Sequence, residues 1–133
     1  MKRSDNDLAN WLFKTIVDIL NAKSDIGDKA PIKVTFCELN KTKPKKVGKT
    51  YIGVIGKTDE PSIEDYWDIR IESRISERSK IRVFLHEMLH IAFWNENRER
   101  PILSLEYLLY PKLSEDQKQF LYKFMYSLSK KSA

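Results

Sequence analysis

The sequence predicts an α+β fold: an N-terminal helix, a small three-stranded sheet, a central helix and two C-terminal helices. Three observations support this order. Apolar residues recur at helical spacing near both ends, short β-branched runs occupy the middle, and one long apolar helical segment follows them. The 133 residues suit a single domain spanning 1–133. A hydrophobic content of 41% with charges of mixed sign predicts a folded domain and excludes a disordered chain.

The first helix is predicted over residues 5–22, with Ser4 or Asp5 as its N-cap. Its buried face is indicated by apolar residues three and four positions apart, namely Leu8, Leu12, Ile16, Ile19 and Leu20. Residues 25–31 are then expected to form a turn.

Three strands are predicted over residues 32–38, 50–55 and 67–72. The second run is rich in β-branched and aromatic residues and is expected to end at Gly56. In the third run apolar residues alternate with charged ones, so one face of that strand should be buried.

A helix is predicted from about Ser76, and the segment 81–94 is apolar on nearly all sides. Such a helix belongs in the middle of a domain. A polar break over residues 95–100 precedes a short helix over 101–111, and a proline suits its first turn. The last helix should begin at Ser114 with a capping box.

The central helix contains the sequence His86-Glu87-Met88-Leu89-His90, an HExxH motif that includes both histidines of the chain. Residues four apart on a helix project from the same face, so two imidazoles can converge on one metal ion. Glu87 is offset by about 100° from His86, which places its carboxylate beside the metal, where it can act as a general base. The motif predicts one zinc ion per chain. The alternative without a metal is a pair of histidines that lie at the surface or are hydrogen-bonded in the core.

A catalytic zinc site needs three protein ligands and one open position. Because the chain has no further histidine, the third ligand should be acidic. Glu106 is favoured because it lies among leucines on the next predicted helix, and Glu96 and Glu99 stay open as alternatives. The alternative for Glu106 is a solvated position on a short surface helix, without a role in metal binding.

Other features of the sequence limit the compartment and the class of protein to which this chain can belong. The single cysteine, Cys37, excludes an internal disulfide, lies in a predicted strand and indicates a reducing compartment. No apolar run has the length of a membrane span or of a signal peptide's apolar region, so a cytoplasmic protein is expected.

Residues 51–113 resemble the small intracellular zincin metallopeptidases of the ImmA/IrrE and SprT-like kind, including short phage-encoded forms. The match consists of a strand at 67–72, a turn, the HEMLH helix and a following helix with Glu106. Leu89 stands where many ImmA-type proteins have a glycine. The resemblance implies a minimal zincin fold and hydrolysis of a protein or peptide substrate, with a gluzincin-like third ligand.

The groups predicted for this site suggest how a peptide bond would be hydrolysed. Zinc lowers the pKa of a bound water toward neutrality, and Glu87 would accept the proton. An exposed sheet edge could hold an extended peptide by strand addition. A phenol such as Tyr107 or Tyr110 could stabilise the oxyanion, or could simply pack.

A basic segment at residues 41–49 supports a rival hypothesis, a zinc-containing binding module without catalysis that associates with DNA through this segment. Its lysines are Lys41, Lys43, Lys45, Lys46 and Lys49. Because no aromatic residue interleaves them, a solvated hairpin loop is the preferred interpretation. The net charge of +5 does not by itself identify a nucleic-acid-binding protein.

Overall fold

Four α-helices and a small sheet make up the fold, as a computed structural model of residues 4–21, 32–48, 50–61, 66–96 and 98–131 describes it. In chain order the segments are α1 (Asp5–Asn21), β1 (Ile32–Cys37), β2 (Lys46–Val47), β3 (Thr50–Tyr51), β4 (Gly56–Asp59), β5 (Trp67–Glu72), α2 (Glu77–Ala92), α3 (Glu99–Leu109), a 3-10 turn (Tyr110–Lys112) and α4 (Glu115–Lys131). The predicted α+β class is confirmed. The turn predicted at 25–31 lies outside the described residues.

The main sheet has the strand order β1-β5-β4, with β5 parallel to β1 and antiparallel to β4. Val34, Ile69 and Ile71 are buried and belong to one hydrophobic core. Charged residues such as Arg70 alternate with them on β5, so the opposite face of the sheet is polar. The alternation predicted for the third strand is therefore confirmed for Ile69, Arg70 and Ile71, whereas Glu72 at the end of the strand is also buried.

The strand predicted over residues 50–55 is wrong in its extent. Only Thr50–Tyr51 is extended and paired, as part of a separate two-stranded hairpin, and the third strand of the main sheet is Gly56–Asp59. The chain bends at Gly53, which has a φ of 109°. Asn40 holds the bend, because its amide accepts from the Val54 N–H at 3.1 Å and donates to the Val54 carbonyl at 2.8 Å. Strand propensity could not reveal this distant side chain.

Helix α2 lies at the centre of the fold, in contact with the other three helices and with β4 and β5. Its N-cap is Ser76, whose side chain accepts from the Ser79 N–H. The capping box predicted for α4 is present, since Ser114 and Gln117 bond to each other's backbone N–H. None of the described helices has the length and apolarity needed to cross a membrane.

Candidate metal centre

Helix α2 places the side chains of His86 and His90 next to each other, as the four-residue spacing requires. Their Nε2 atoms lie 3.2 Å apart and their ring centroids 4.8 Å apart. Two nitrogens bound to one tetrahedral zinc, each about 2.0–2.1 Å from it, stand roughly 3.3 Å apart. The observed separation therefore suits a shared metal ion.

The third donor of this cluster is Glu99, in the first turn of α3. Its Oε1 contacts His86 Nε2, and its Oε2 lies 3.1 Å from His90 Nε2. Donor atoms of the three residues lie within 4.8 Å of one another. Two imidazoles and one carboxylate form a donor set typical of catalytic zinc sites, so the residues present fit that metal.

Glu106, the third ligand favoured from the sequence, occupies a different position. Its Oε1 lies 2.7 Å from Nδ1 of His86, the ring nitrogen opposite the one that faces Glu99. Helix α3 begins at Glu99, two residues before the predicted start, so Glu99 and Glu106 share one face two turns apart. Glu99 thus lies at the donor cluster, and Glu106 lies behind His86 as an outer carboxylate that orients the ring.

Arg82 anchors the outer carboxylate. Its Nε donates to Oε2 of Glu106, and its guanidinium lies over the rings of Tyr110 at 4.7 Å and Tyr107 at 5.2 Å. Both tyrosines named as candidates for oxyanion stabilisation therefore pack on Arg82, one helical turn before His86. The resulting chain of contacts runs from the tyrosines through Arg82 and Glu106 to His86.

The charges around His86 outweigh its burial. Burial lowers the pKa of this imidazole, but the hydrogen bond to Glu106 and the charges of Glu87, Glu99 and Glu106 raise it above its usual value. Burial also opposes ionisation of Glu106, yet its bonds to His86 and Arg82 keep its pKa below the usual value. For His90 burial dominates and lowers the pKa, which favours the neutral imidazole that a metal requires.

Glu87 points to the sheet side of α2, where it meets strand β4. Its side chain is buried, and its Oε1 accepts a hydrogen bond from Thr58 Oγ1 at 2.8 Å. Gly56, two residues before Thr58, permits this close approach. A Cβ at position 56 would lie 2.4 Å from Val83 Cγ1 and 3.0 Å from Glu87 Oε2.

Burial raises the pKa of Glu87 above that of an ordinary carboxyl group. The Thr58 hydrogen bond and His86 oppose this shift, whereas the charges of Glu99 and Glu106 add to it. A carboxylate with a raised pKa is a stronger base near neutral pH. These surroundings suit the role that the HExxH motif predicts for Glu87.

One edge of β4 is unpaired within the described part of the chain, because β5 is its only neighbour there. The Glu72 N–H donates to the Ile55 carbonyl at 2.9 Å, which sets the register of the β4–β5 pair. Since bonded pairs alternate in an antiparallel ladder, the backbone groups of Gly56 and Thr58 point to the free edge. This edge runs beside Glu87 and offers an extended peptide a place to pair.

The sequence did not single out Thr58 and Arg82, and it placed Glu99, one of its alternatives for the third ligand, in the polar break before α3 and not in the first turn of that helix. Arg82 carried a usable signal, because it lies four residues before His86 on the same helical face. Glu99 carried one as well, in the 3-4-3 spacing of Glu99, Ile102, Glu106 and Leu109. Glu96, the other alternative, pairs with Arg98, whose hydrogen bonds lower its pKa to about 2.

No protein-family model, curated protein or solved structure matches this chain at a significant level. The functional interpretation therefore depends on the motif and on the geometry of its surroundings.

Proposed function

We propose that this protein is a zinc-dependent peptidase in which His86, His90 and Glu99 hold one zinc ion and Glu87 is the general base. The observation that carries the proposal is the convergence of three donors. Both Nε2 atoms lie 3.2 Å apart, and His90 Nε2 lies 3.1 Å from the Glu99 carboxylate. Among the described residues no fourth side chain joins the group, which leaves room for a non-protein ligand as catalytic sites require.

Each protein group has a defined task in this proposal. Bound zinc would supply Lewis acidity, lowering the pKa of a coordinated water and polarising a carbonyl oxygen. Glu87 accepts the proton, and Thr58 fixes its orientation through the 2.8 Å hydrogen bond. Glu106 holds the His86 ring so that Nε2 faces the cluster. The free edge of β4 aligns the substrate backbone beside Glu87.

The competing interpretation is a metal-free ion pair, in which a protonated His86 lies between Glu99 and Glu106. Zinc analysis separates the two. We expect purified protein, dialysed against trace zinc, to hold about one zinc ion per chain. Three protein ligands are enough to hold a catalytic zinc ion, because water fills its fourth position. His86→Ala and His90→Ala should lose the metal, whereas the nearby control Glu96→Gln should retain it. Absence of zinc binding in calorimetric titration of folded wild-type protein would refute the metal centre.

Peptidase activity needs a separate test with a defined probe. We expect the zinc-loaded protein to cleave members of a peptide library prepared from digested cell lysate, with products identified by mass spectrometry. Chelation should abolish cleavage and added zinc should restore it. Glu87→Gln should bind zinc without cleaving, while Glu115→Gln, an exposed carboxyl on α4, should cleave like wild type. Zinc binding with no cleavage of any peptide would leave a non-catalytic binding module.

A further inference from the structure

The segment of the chain that leads into β4 has an uneven charge distribution. Residues 39–58 contain six lysines and no acidic residue. The lysines are Lys41, Lys43, Lys45, Lys46, Lys49 and Lys57. This stretch includes the β2–β3 hairpin and leads directly into β4, the strand that lies against Glu87.

One side of the hairpin is fixed to the body of the protein. Lys46 and Tyr51 form a cross-strand pair and so lie on the same side, with the Lys46 ammonium 5.6 Å from the centre of the Tyr51 ring. The Tyr51 hydroxyl lies 3.2 Å from Ser79 Oγ in the first turn of α2. The pair therefore faces the helix and leaves the opposite side of the hairpin turned outward.

The outward side consists of Lys45, Val47, Thr50 and Ile52, which we call the docking face. Val47 pairs with Thr50, and the Ile52 N–H donates to the Lys45 carbonyl at 2.9 Å, so the four residues alternate with Lys46 and Tyr51. All four are exposed, Val47 by 59% and Ile52 by 63%. Neither aliphatic residue contributes to the hydrophobic core.

The docking face combines two aliphatic side chains with Lys45, and Lys41 and Lys43 precede it closely in the chain, so it favours one kind of partner. Phosphates would satisfy the lysines, but single-stranded nucleic acid also needs stacking rings, and Tyr51, the aromatic residue of the hairpin, faces α2. Membrane-surface segments are amphipathic helices that present Trp, Phe and Leu side chains, whereas Val47 and Ile52 lie on a short hairpin. A polypeptide segment that combines carboxylates with aliphatic side chains complements both features.

We propose that the docking face binds an acidic polypeptide segment of a partner protein that also carries aliphatic residues. Because the hairpin continues into β4, such a segment would be held close to the free edge of that strand. Binding there uses neither the metal nor Glu87, so it goes beyond the proposed peptidase function and can fail or succeed independently.

The experiment measures the fluorescence anisotropy of a fluorescein-labelled peptide of alternating Glu and Leu as protein is added. The protein is the full chain with the substitution Glu87→Gln, which prevents cleavage of the peptide. We expect saturable binding that weakens as salt is raised. Lys45→Glu and Ile52→Ser should each weaken it, the lysine change by about fivefold to tenfold. The matched control Lys112→Glu, an exposed lysine elsewhere, should bind like the parent protein. A peptide of alternating Glu and Ser should bind more weakly than the Glu–Leu peptide.

Several outcomes would overturn the proposal. Equal losses in Lys45→Glu and Lys112→Glu would indicate a general charge effect. Tighter binding of a single-stranded oligonucleotide or of phosphatidylserine vesicles, sensitive to the same substitutions, would assign the face to those partners. Self-association in sedimentation that Lys45→Glu abolishes would assign it to a second copy of this chain. Circular dichroism and zinc content of each variant exclude misfolding as the cause of any loss.

Discussion

Two buried glutamates in this protein have opposite surroundings. Glu72 ends strand β5 and is 0% exposed, and Glu87 lies in the middle of α2 and is 5% exposed. Glu72 accepts hydrogen bonds from the Leu39 N–H, from the Asn40 amide and from the backbone and guanidinium of Arg74. Within the described residues Glu87 accepts one, from Thr58.

The difference in bonding produces opposite pKa shifts. The hydrogen bonds from Arg74 hold the pKa of Glu72 far below its usual value, although burial opposes this. Burial raises the pKa of Glu87, and one hydroxyl does not compensate. A carboxylate saturated with donors stabilises the fold and has little affinity for a proton, whereas one with unused lone pairs is available to accept a proton. Two buried carboxylates thus differ in their hydrogen bonds and in the direction of their pKa shifts.

The largest expected effect is on catalysis at Glu87. Glu87→Gln keeps the shape and the acceptor for Thr58 but removes the proposed base, so we expect the cleavage rate to fall by about 10²–10⁴-fold. The unfolding free energy of the metal-free variant should equal or exceed that of wild type, because an amide is cheaper to bury than a carboxylate. Peptide cleavage and urea unfolding measure the two quantities. A strongly destabilised variant would contradict the assignment of Glu87 as a functional carboxylate.

The same substitution at Glu72 should lower the unfolding free energy and leave the cleavage rate unchanged. Glu72→Gln places an amide NH2 against the Arg74 donors, so we expect the unfolding free energy to drop by about 2–4 kcal/mol. The rate per folded molecule should not change. Urea unfolding and cleavage rates corrected for the folded fraction test this. Loss of activity without loss of stability would show that Glu72 acts at the site.

The contribution of Glu72 should also depend on pH. Because its folded pKa is lowered, its stabilising effect is fully present above the unfolded pKa of about 4.3 and is lost as pH falls toward the folded value. The stability difference between wild type and Glu72→Gln should therefore be largest above about pH 5 and shrink below about pH 4. Urea unfolding of both proteins across this range gives the measurement, and a constant difference would contradict the sign.

The features that could be predicted from the sequence are those that depend on residues close together in the chain. His86, Glu87 and His90 share one helix, so their arrangement follows from helical geometry alone. The position of Glu99 depends on where α3 begins, two residues before the predicted start, and Glu106 was favoured because it lay among leucines inside the predicted helix. The bend at Gly53 depends on Asn40, thirteen residues earlier, so the strand predicted at 50–55 was wrong in extent. Contacts between segments are not visible in local periodicity.

We expect a smaller effect from Glu106, the outer carboxylate, than from Glu87, the proposed general base. Glu106→Gln should weaken zinc binding by about 10–100-fold, because His86 loses the carboxylate that orients its ring. Glu99→Ala should weaken it further, since it removes a donor next to both histidines. Competition with a chromogenic chelator ranks the two affinities, with Glu96→Gln as the nearby control. The reverse ranking would make Glu106 the ligand, as the sequence favoured.

The smallest expected effect concerns the contact between β4 and α2. Gly56→Ala puts a methyl group 2.4 Å from Val83 Cγ1, so the strand must move and we expect a destabilisation of about 1–2 kcal/mol. The same movement draws Thr58 away from Glu87, which should lower the cleavage rate while zinc content stays unchanged. Lys57→Ala, at an exposed neighbouring position, is the control for β4 itself. Wild-type stability and rate in Gly56→Ala would mean that β4 lies farther from Glu87, and orientation of the base would then need another donor.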